Sequence, residues 1–375
     1  MTCELNSFAA NTVKNRLPAI VRSVMDNNNF DNGIADRLEC LLRDIPDGEL
    51  KLLSASADVC RKINTEIRKH KYRWNNAPFI FVENYLYHLL KGICNYSNTK
   101  NDYFAFKKND DVLSKKEFLI GVIDNFKNLA RSDFDKSLKS VLHFNLFGNV
   151  ADLSQIGISN DKSMNLLIDD TDKIKAVFNS SNQIDIVLDN SGEELLYDIL
   201  FSHWILSKTK TTKVNLHFKT FPYFVSDAMK KDFYFLSEEL SNHKTGKKFF
   251  DEINNHIAKG NLVLYEDDFW SDTNDFLSIP DRINNIFAES DLVVFKGDLN
   301  YRKLVEDRHW NYTTDTAELI RHINNNCLII RVLKSEVITG LANIPDTPDN
   351  EWMYNGKCGI IQLVENGKSI HNAHP

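Results

Sequence analysis

The sequence predicts an α/β protein. A helical N-terminal domain over residues 1–150 is expected to pack on a Rossmann-like α/β/α domain with a mostly parallel sheet over residues 151–375. Three observations carry this reading. Up to residue 150 the apolar residues recur at i, i+3 and i+4, the spacing of one helix face. After it they gather into short runs of strand length. Helical patterns separate most of those runs, and strands alternating with helices build a parallel sheet covered on both faces.

The helical part opens with "LPAIVRSVMDNN" and "GIADRLECLLRDI", both amphipathic at helical period. "APFIFVENYLYHLLKGICNY" is longer and more apolar, with Pro78 placed for a first helical turn. "SKKEFLIGVIDNFKNLARS" and "FDKSLKSVLHFNLFGN" continue the pattern. The expected strands are then "IDIVLD", "KVNLHFK", "NLVLYED", "DLVVFKGD", "CLIIRVLK" and "GIIQLVE". Near-continuous apolar runs of this length suit strands buried on both faces.

Bulk properties narrow the function. The 375 residues, 42% hydrophobic and 26% charged, fit a globular chain with a sizeable core. A net charge of −7 argues against a broad nucleic-acid footprint, which needs a basic surface. Only 14 glycines are present, so few Gly-rich phosphate loops can be built. The six cysteines form no C-x-x-C, and reduced thiols in the cytoplasm are the simplest reading, with the nucleus as a second compartment. No secretory h-region and no apolar run of about 20 residues stands in the sequence, so neither export nor a membrane span is expected.

In open α/β sheets, ligands bind outside the carboxyl ends of the strands. "IVLD" is followed by Asp189, Asn190, Ser191, Gly192 and Glu193. Asp227 follows "VNLHFKTFPYFVS", Asp298, Asn300, Tyr301 and Arg302 follow "LVVFKG", and Lys334 follows "LIIRV". Carboxylates and an amide oxygen are hard ligands suited to Mg²⁺ or Mn²⁺. Lys334 and Arg302 could balance phosphate charge. A helix opening after Gly192 offers an N-terminus that favours an anion. Taken one at a time, these residues also read as helix caps, turn residues and solvated charges; their joint placement at strand ends favours a phosphate-ester site.

Other patterns fall away. "LLIDDTD" offers Asp170 and Asp172 after an apolar run, but "DKIKAVFNSS" follows as a helix start, so capping is expected there. The eleven histidines form no H-E-x-x-H, and the basic run "RKHKYR" reads as a solvated helix end. No G-x-G-x-x-G and no G-x-x-x-x-G-K-[ST] occurs, which counts against NAD, a P-loop and a glycine-rich S-adenosylmethionine loop.

"SDLVVFKGDLNYRKLVEDRHW" (290–310) closely resembles the signature of the DUF89 family of metal-dependent damage-control phosphatases, in its acidic residue methyltransferase or sugar phosphate phosphatase subgroup. "NRLPAIVRSVMD", "RWNNAPFIFVENYLYHLL", "NLFGNVADLS", "DIVLDNSGEELLYDI" and "RVLKSEVITGL" resemble further family segments in the same order. The resemblance implies the same two-domain fold. It implies metal ligation by Asp189, Asn190 and Asp227, with Mn²⁺, Co²⁺, Ni²⁺ or Mg²⁺ as cofactor. It places the substrate at Asp189, Asn190, Asp298, Leu299, Asn300, Tyr301, Arg302 and Lys334, with Asp189 and Asn190 catalytic; Glu193 and Glu83 lie in matching motifs. A small phosphorylated metabolite, notably fructose 1-phosphate or fructose 6-phosphate, is the implied ligand. No nucleic-acid or membrane partner is expected, and a monomer is favoured. Whether Asp189 serves as nucleophile, base or ligand alone stays open. Val332 stands where the family motif has Thr, Phe147 where it has Trp, and the N-terminal linkers are shorter. The alternatives are an S-adenosylmethionine-dependent protein-glutamate O-methyltransferase, attributed to the same subgroup, and a non-catalytic binding protein that keeps the fold.

Overall fold

The computed structural model describes residues 7–54, 58–129, 131–147, 165–272, 274–345 and 350–365. By internal contacts the chain divides into two compact units. The first comprises residues 1–108, 219–227 and 268–274; the second comprises 109–218, 228–267 and 275–375.

The first unit is helical. Its most buried element, α1 (Phe79–Ile93), is apolar around most of its circumference, the pattern of a helix enclosed on all sides. Pro78 is its N-cap rather than a residue of its first turn. The segment 219–227 belongs to this unit and is held by aromatic residues. Tyr96 and Tyr103 donate their hydroxyls to the carbonyls of Thr220 (3.2 Å) and Pro222 (3.0 Å). Tyr223 donates to Asn84 Oδ1 at 2.8 Å, and Phe224 stacks on Tyr87 with ring centres 4.7 Å apart. Phe224 and Val225 adopt φ of +42° and +70°, a left-handed conformation that L side chains rarely take, and the aromatic packing holds them there.

The second unit is built on a seven-stranded sheet. The strands are β1 (Asn165–Asp169), β2 (Gln183–Val187), β3 (Lys213–Phe218), β4 (Leu262–Glu266), β5 (Leu292–Lys296), β6 (Asn326–Val332) and β7 (Cys358–Val364). Their order is β1-β7-β6-β5-β2-β3-β4. The pairs from β6 through β4 are parallel; β7 runs antiparallel to β6 and parallel to β1. The mostly parallel sheet expected from the sequence is therefore present. The strand at β1 was not expected. "NLLID" is an edge strand whose apolar run is only three residues long, Leu166 to Ile168, and so reads weakly. The capping expected at Asp170 falls one residue earlier. Asp169 Oδ1 accepts from the backbone and the hydroxyl of Thr171 (3.1 and 2.5 Å), while Asp170 pairs with Lys173 at 2.7 Å.

The core sits against the sheet. Here α2 (Lys116–Leu129), α3 (Phe134–Phe147), α4 (Thr171–Ser180) and α5 (Glu193–Lys208) share one apolar cluster with β2, β3, β5 and β6. The change of hydrophobic period near residue 150 thus marks where strands begin, whereas α2 and α3 join the sheet's own core. Every residue of β2 and β5 is buried, including Asp185. That carboxylate is satisfied by Asn215 Nδ2 (3.0 Å), His217 Nε2 (2.6 Å) and the Ser290 hydroxyl. The family-like stretch at Gly148 to Ser154 lies outside the described residues. No helix among the described residues is long and apolar enough to cross a membrane.

Ile186 lies in the middle of β2, fully enclosed. Ile186→Ala is expected to lower unfolding stability by about 2–5 kcal/mol. Urea titration should show an earlier midpoint with an unchanged slope.

Candidate functional site

The parallel run β2, β5, β6 puts three strand ends on one edge of the sheet. Residues 188–192 follow β2, residues 297–302 follow β5 as the start of α6 (Gly297–Leu304), and residues 333–339 follow β6. Adjacent strands stand about 4.8 Å apart, so the first and third ends are roughly 10 Å apart.

Asp189 is buried at the end of β2. Its carboxylate lies against the backbone of Gly297, which has φ +81°, and a Cβ on that residue would collide with it. Asn190 donates from one amide nitrogen to Asp189 Oδ2 (2.9 Å) and Glu194 Oε2 (2.8 Å). Two carboxylates thus converge on one amide. The Asp189 carbonyl accepts the backbone N–H of Ala228 at 2.8 Å, which ties the strand end to residue 228.

The helix N-terminus expected to attract an anion is met by a carboxylate of the chain itself. Asp111 Oδ2 accepts the N–H of Glu193, the first residue of α5, at 2.9 Å. Gly192, at φ +69°, permits the approach, since a Cβ there would strike the same carboxylate. Lys115 bridges Asp111 (2.8 Å) and Glu193 (2.7 Å), and Tyr197 donates to Glu193 at 3.0 Å. Burial draws the Lys115 ammonium down, but the two carboxylates outweigh it and raise its pKa above that of an ordinary lysine.

The residues after β5 are mostly spent on the fold. Asn300 is buried and donates to the carbonyls of Lys296 (2.7 Å), Leu188 (3.1 Å) and Val187 (3.4 Å), which fastens α6 to the end of β2. Leu299 is buried. Tyr301 shares a hydrogen bond with the Thr339 hydroxyl at 2.9 Å, and Arg302 grips Asp307 through two bonds of 2.6 and 3.0 Å. Asp298 Oδ1 accepts from Arg331 Nε (2.9 Å), the backbone of Lys334 (3.0 Å) and the Ser335 hydroxyl (3.2 Å). Burial raises the Asp298 carboxyl, and the Arg331 and Arg302 guanidinium groups overcome this to hold it below the ordinary carboxylate value. Lys334 itself is exposed. Just before α6, Lys296 is buried against Asp198 (2.9 Å) and the carbonyl of Asn145 (2.8 Å).

Asp227 belongs to the first unit. It is buried and paired with the equally buried Lys219 at 3.2 Å. Glu83 is buried within α1 of that unit.

A family model described as the damage-control phosphatase ARMT1-like domain matches residues 12–347. The chain belongs to that family. It is 31% identical over 333 residues to the damage-control phosphatase ARMT1 of Bos taurus, covering 78% of this chain and 76% of the relative. Its match to the human ARMT1 is 28% identical and covers 96% of both chains. That to the Xenopus tropicalis ARMT1 is also 28% identical, covering 95% and 96%. A crystal structure of a DUF89 family protein from Pyrococcus horikoshii aligns at TM-score 0.48 and 16% identity over 90% of this chain and 96% of its own.

Membership in a damage-control phosphatase family raises the question of a divalent cation. Among the described residues no three His, Cys, Asp or Glu side chains gather at metal-holding positions. A cation here would therefore draw on an amide as well as on carboxylates. Asp189 and Glu194 supply carboxylate oxygens, hard donors that fit Mg²⁺ or Mn²⁺ better than zinc; the Asn190 nitrogen between them is a hydrogen-bond donor, so Asn190 could join a cation only through its Oδ1.

Sequence reading missed Asp111, Lys115, Glu194 and Arg331. Arg331 left the clearest signal: an arginine inside the apolar run "CLIIRV" must find partners in the interior. Asp111 left none, because nothing local links it to a helix 82 residues later.

Gly297→Ala should displace Asp189 and force alanine into a left-handed conformation, at a cost of at least 1–2 kcal/mol. Thermal unfolding would read this, and an unchanged midpoint would refute the close approach. Asp298 gives a pH signature. Its folded-state pKa is depressed, so its contribution is present above the unfolded value of about 3.9 and fades as pH falls through the lower folded value. The difference in midpoint between wild type and Asp298→Asn should therefore shrink between pH 6 and pH 3; a constant gap would contradict the assignment.

Proposed function

We propose that this chain is a metal-dependent phosphatase that hydrolyses phosphate monoesters of small metabolites, with sugar phosphates such as fructose 1-phosphate and fructose 6-phosphate as the substrate class. The observation that carries the reading is the meeting of Asp189, Asn190 and Glu194 at the end of β2, on the same sheet edge as the exposed Lys334. The family's damage-control phosphatase relatives support the reaction class.

In this reading Asp189 and Asn190 hold the cation, and the family pattern adds Asp227. A cation held there would supply charge neutralisation at phosphoryl oxygens. Lys334 binds the remaining phosphate charge through a charge-assisted hydrogen bond. The packing of Gly297 and the Asn190 amide keeps the Asp189 carboxylate in one place before substrate arrives, and such preorganisation is where phosphoryl-transfer catalysis lies. The buried Asn300 fixes, through its amide nitrogen, the strand end that presents Asp189.

The test is release of inorganic phosphate from fructose 1-phosphate with Mn²⁺, repeated with EDTA. Wild type should release phosphate only with the cation, and Asp189→Ala should lose at least about 100-fold in kcat/KM. Asp227→Asn should weaken Mn²⁺ binding in calorimetry, and because it removes the carboxylate charge facing the buried Lys219 it should also lower the thermal midpoint of the cation-free protein. Failure to release phosphate from any member of a panel of esters, by folded protein shown to bind Mn²⁺, would overturn the reading. Lys334→Ala should raise KM about 10- to 100-fold, the loss expected for a charged hydrogen bond of about 1.5–3 kcal/mol.

A further inference from the structure

The loop after β6 is buried at every residue from Leu333 to Thr339 except two: Glu336 is partly covered and Lys334 is exposed. A single guanidinium lies at the centre of the loop's contacts. Arg331 has no exposed surface. Its Nε and Nη2 reach Asp298 Oδ1 at 2.9 and 2.8 Å. Its Nη1 donates to the carbonyl of Val337 at 2.6 Å, and Nη2 also donates to the Ser335 hydroxyl at 3.0 Å. One face of the guanidinium covers the Tyr301 ring, 4.1 Å from its centre. Tyr301 in turn accepts the backbone N–H of Thr339 at 2.8 Å. The chain therefore wraps around Arg331 from residue 335 to residue 339.

Asp298 closes the arrangement. Besides Arg331, its Oδ1 accepts the backbone N–H of Lys334 and the Ser335 hydroxyl. Four donor atoms meet at one oxygen. The only backbone group among them belongs to the residue whose side chain faces solvent. A buried arginine could be satisfied in many ways; this one is arranged so that the Lys334 backbone is held from beneath while the side chain is left out.

We propose that Asp298 and Arg331 are positioning residues for Lys334, coupling the segment after β5 to the loop after β6 so that the lysine ammonium is presented at a set place to the substrate phosphate. The inference rests on the phosphatase reading. It assigns the Asp298 side chain to the lysine's backbone rather than to the substrate. The two sequence segments, 33 residues apart, act as one device because a charge on each is buried against the other. Holding a long, flexible lysine by its backbone lowers the entropy lost when its tip binds an anion, and a loosened backbone weakens binding without removing the charge.

The experiment is a double-mutant cycle on phosphate release, with Asp298→Asn, Lys334→Ala and the double variant in the full chain. Asp298→Asn keeps the shape but leaves Oδ1 without its negative charge. The expected result is a rise in KM of about fivefold or more for Asp298→Asn with kcat changed far less. Added to Lys334→Ala, the same substitution should raise KM no further, because the lysine it acts through is gone. Backbone amide exchange at Lys334 should quicken in Asp298→Asn, a readout that needs no substrate. If the two substitutions multiply in KM, Asp298 acts elsewhere and the proposal fails. If Asp298→Asn leaves KM and the Lys334 exchange rate unchanged, it fails as well, while a raised KM in Lys334→Ala would keep the phosphatase reading intact. If Lys334→Ala itself leaves KM unaltered, the phosphate role of the lysine is wrong and the positioning role falls with it. Should Asp298→Asn not fold, Ser335→Ala removes one donor to the same oxygen and carries the same cycle, with a KM rise absent in the Lys334→Ala background as the supporting result and multiplying effects as the overturning one.

Discussion

The carboxylate of Asp189 rests on the backbone of Gly297, and the end of the two central strands is arranged around that contact. It demands a residue without a Cβ, in a conformation closed to most side chains, one position after β5. The demand is met because Asn300, one turn into α6, reaches back to three carbonyls at the ends of β2 and β5. The helix is locked to the strand it faces, and the glycine is locked with it. A carboxylate seated in this way does not need to be gathered when a ligand arrives.

Buried charge is handled in the same manner throughout the second unit. Lys296 meets Asp198, and the burial that raises the Asp198 carboxyl is partly offset by that ammonium. Arg302 meets Asp307 through two bonds, and Arg331 meets Asp298. Each pair lies at or beyond the carboxyl end of β5 or β6. An isolated charge there would cost several kcal/mol to bury, whereas a hydrogen-bonded pair fixes direction at little net cost. The first unit follows the same rule with Lys219 and Asp227, and with Lys108 and Asp102 at 3.2 Å. The polar residues that reach solvent near the strand ends stand out against this background, and Lys334 is the clearest of them.

The α5 N-terminus shows how a sequence motif can be right in place and different in occupant. The turn Ser191-Gly192 does open a helix, and an anion does sit at its first N–H. The anion is Asp111, itself bridged by Lys115 to Glu193. The glycine is required for the carboxylate's approach rather than for a phosphate's.

Several features were legible in the sequence for local reasons. Six of the seven strands showed as apolar runs, most plainly β2, β5 and β6, whose side chains are buried on both faces of the sheet and show little polar alternation. Asp189 and Asn190 stood out only together with the polar residues at the other strand ends, since each alone also reads as a cap or a turn residue. The seventh strand, "NLLID", was hidden because its apolar run is only three residues long and leads straight into two aspartates. The sequence by itself determined the order of strands and helices and the strand ends at which polar side chains appear, since hydrophobic period and chain continuity act over a few residues. Only the tertiary structure decided what those side chains do. Which carboxylate caps α5, which oxygen takes the Lys334 backbone and which glycine must yield to Asp189 are settled by atoms that come from 36 to 108 residues away, and chain spacing carries no record of such contacts.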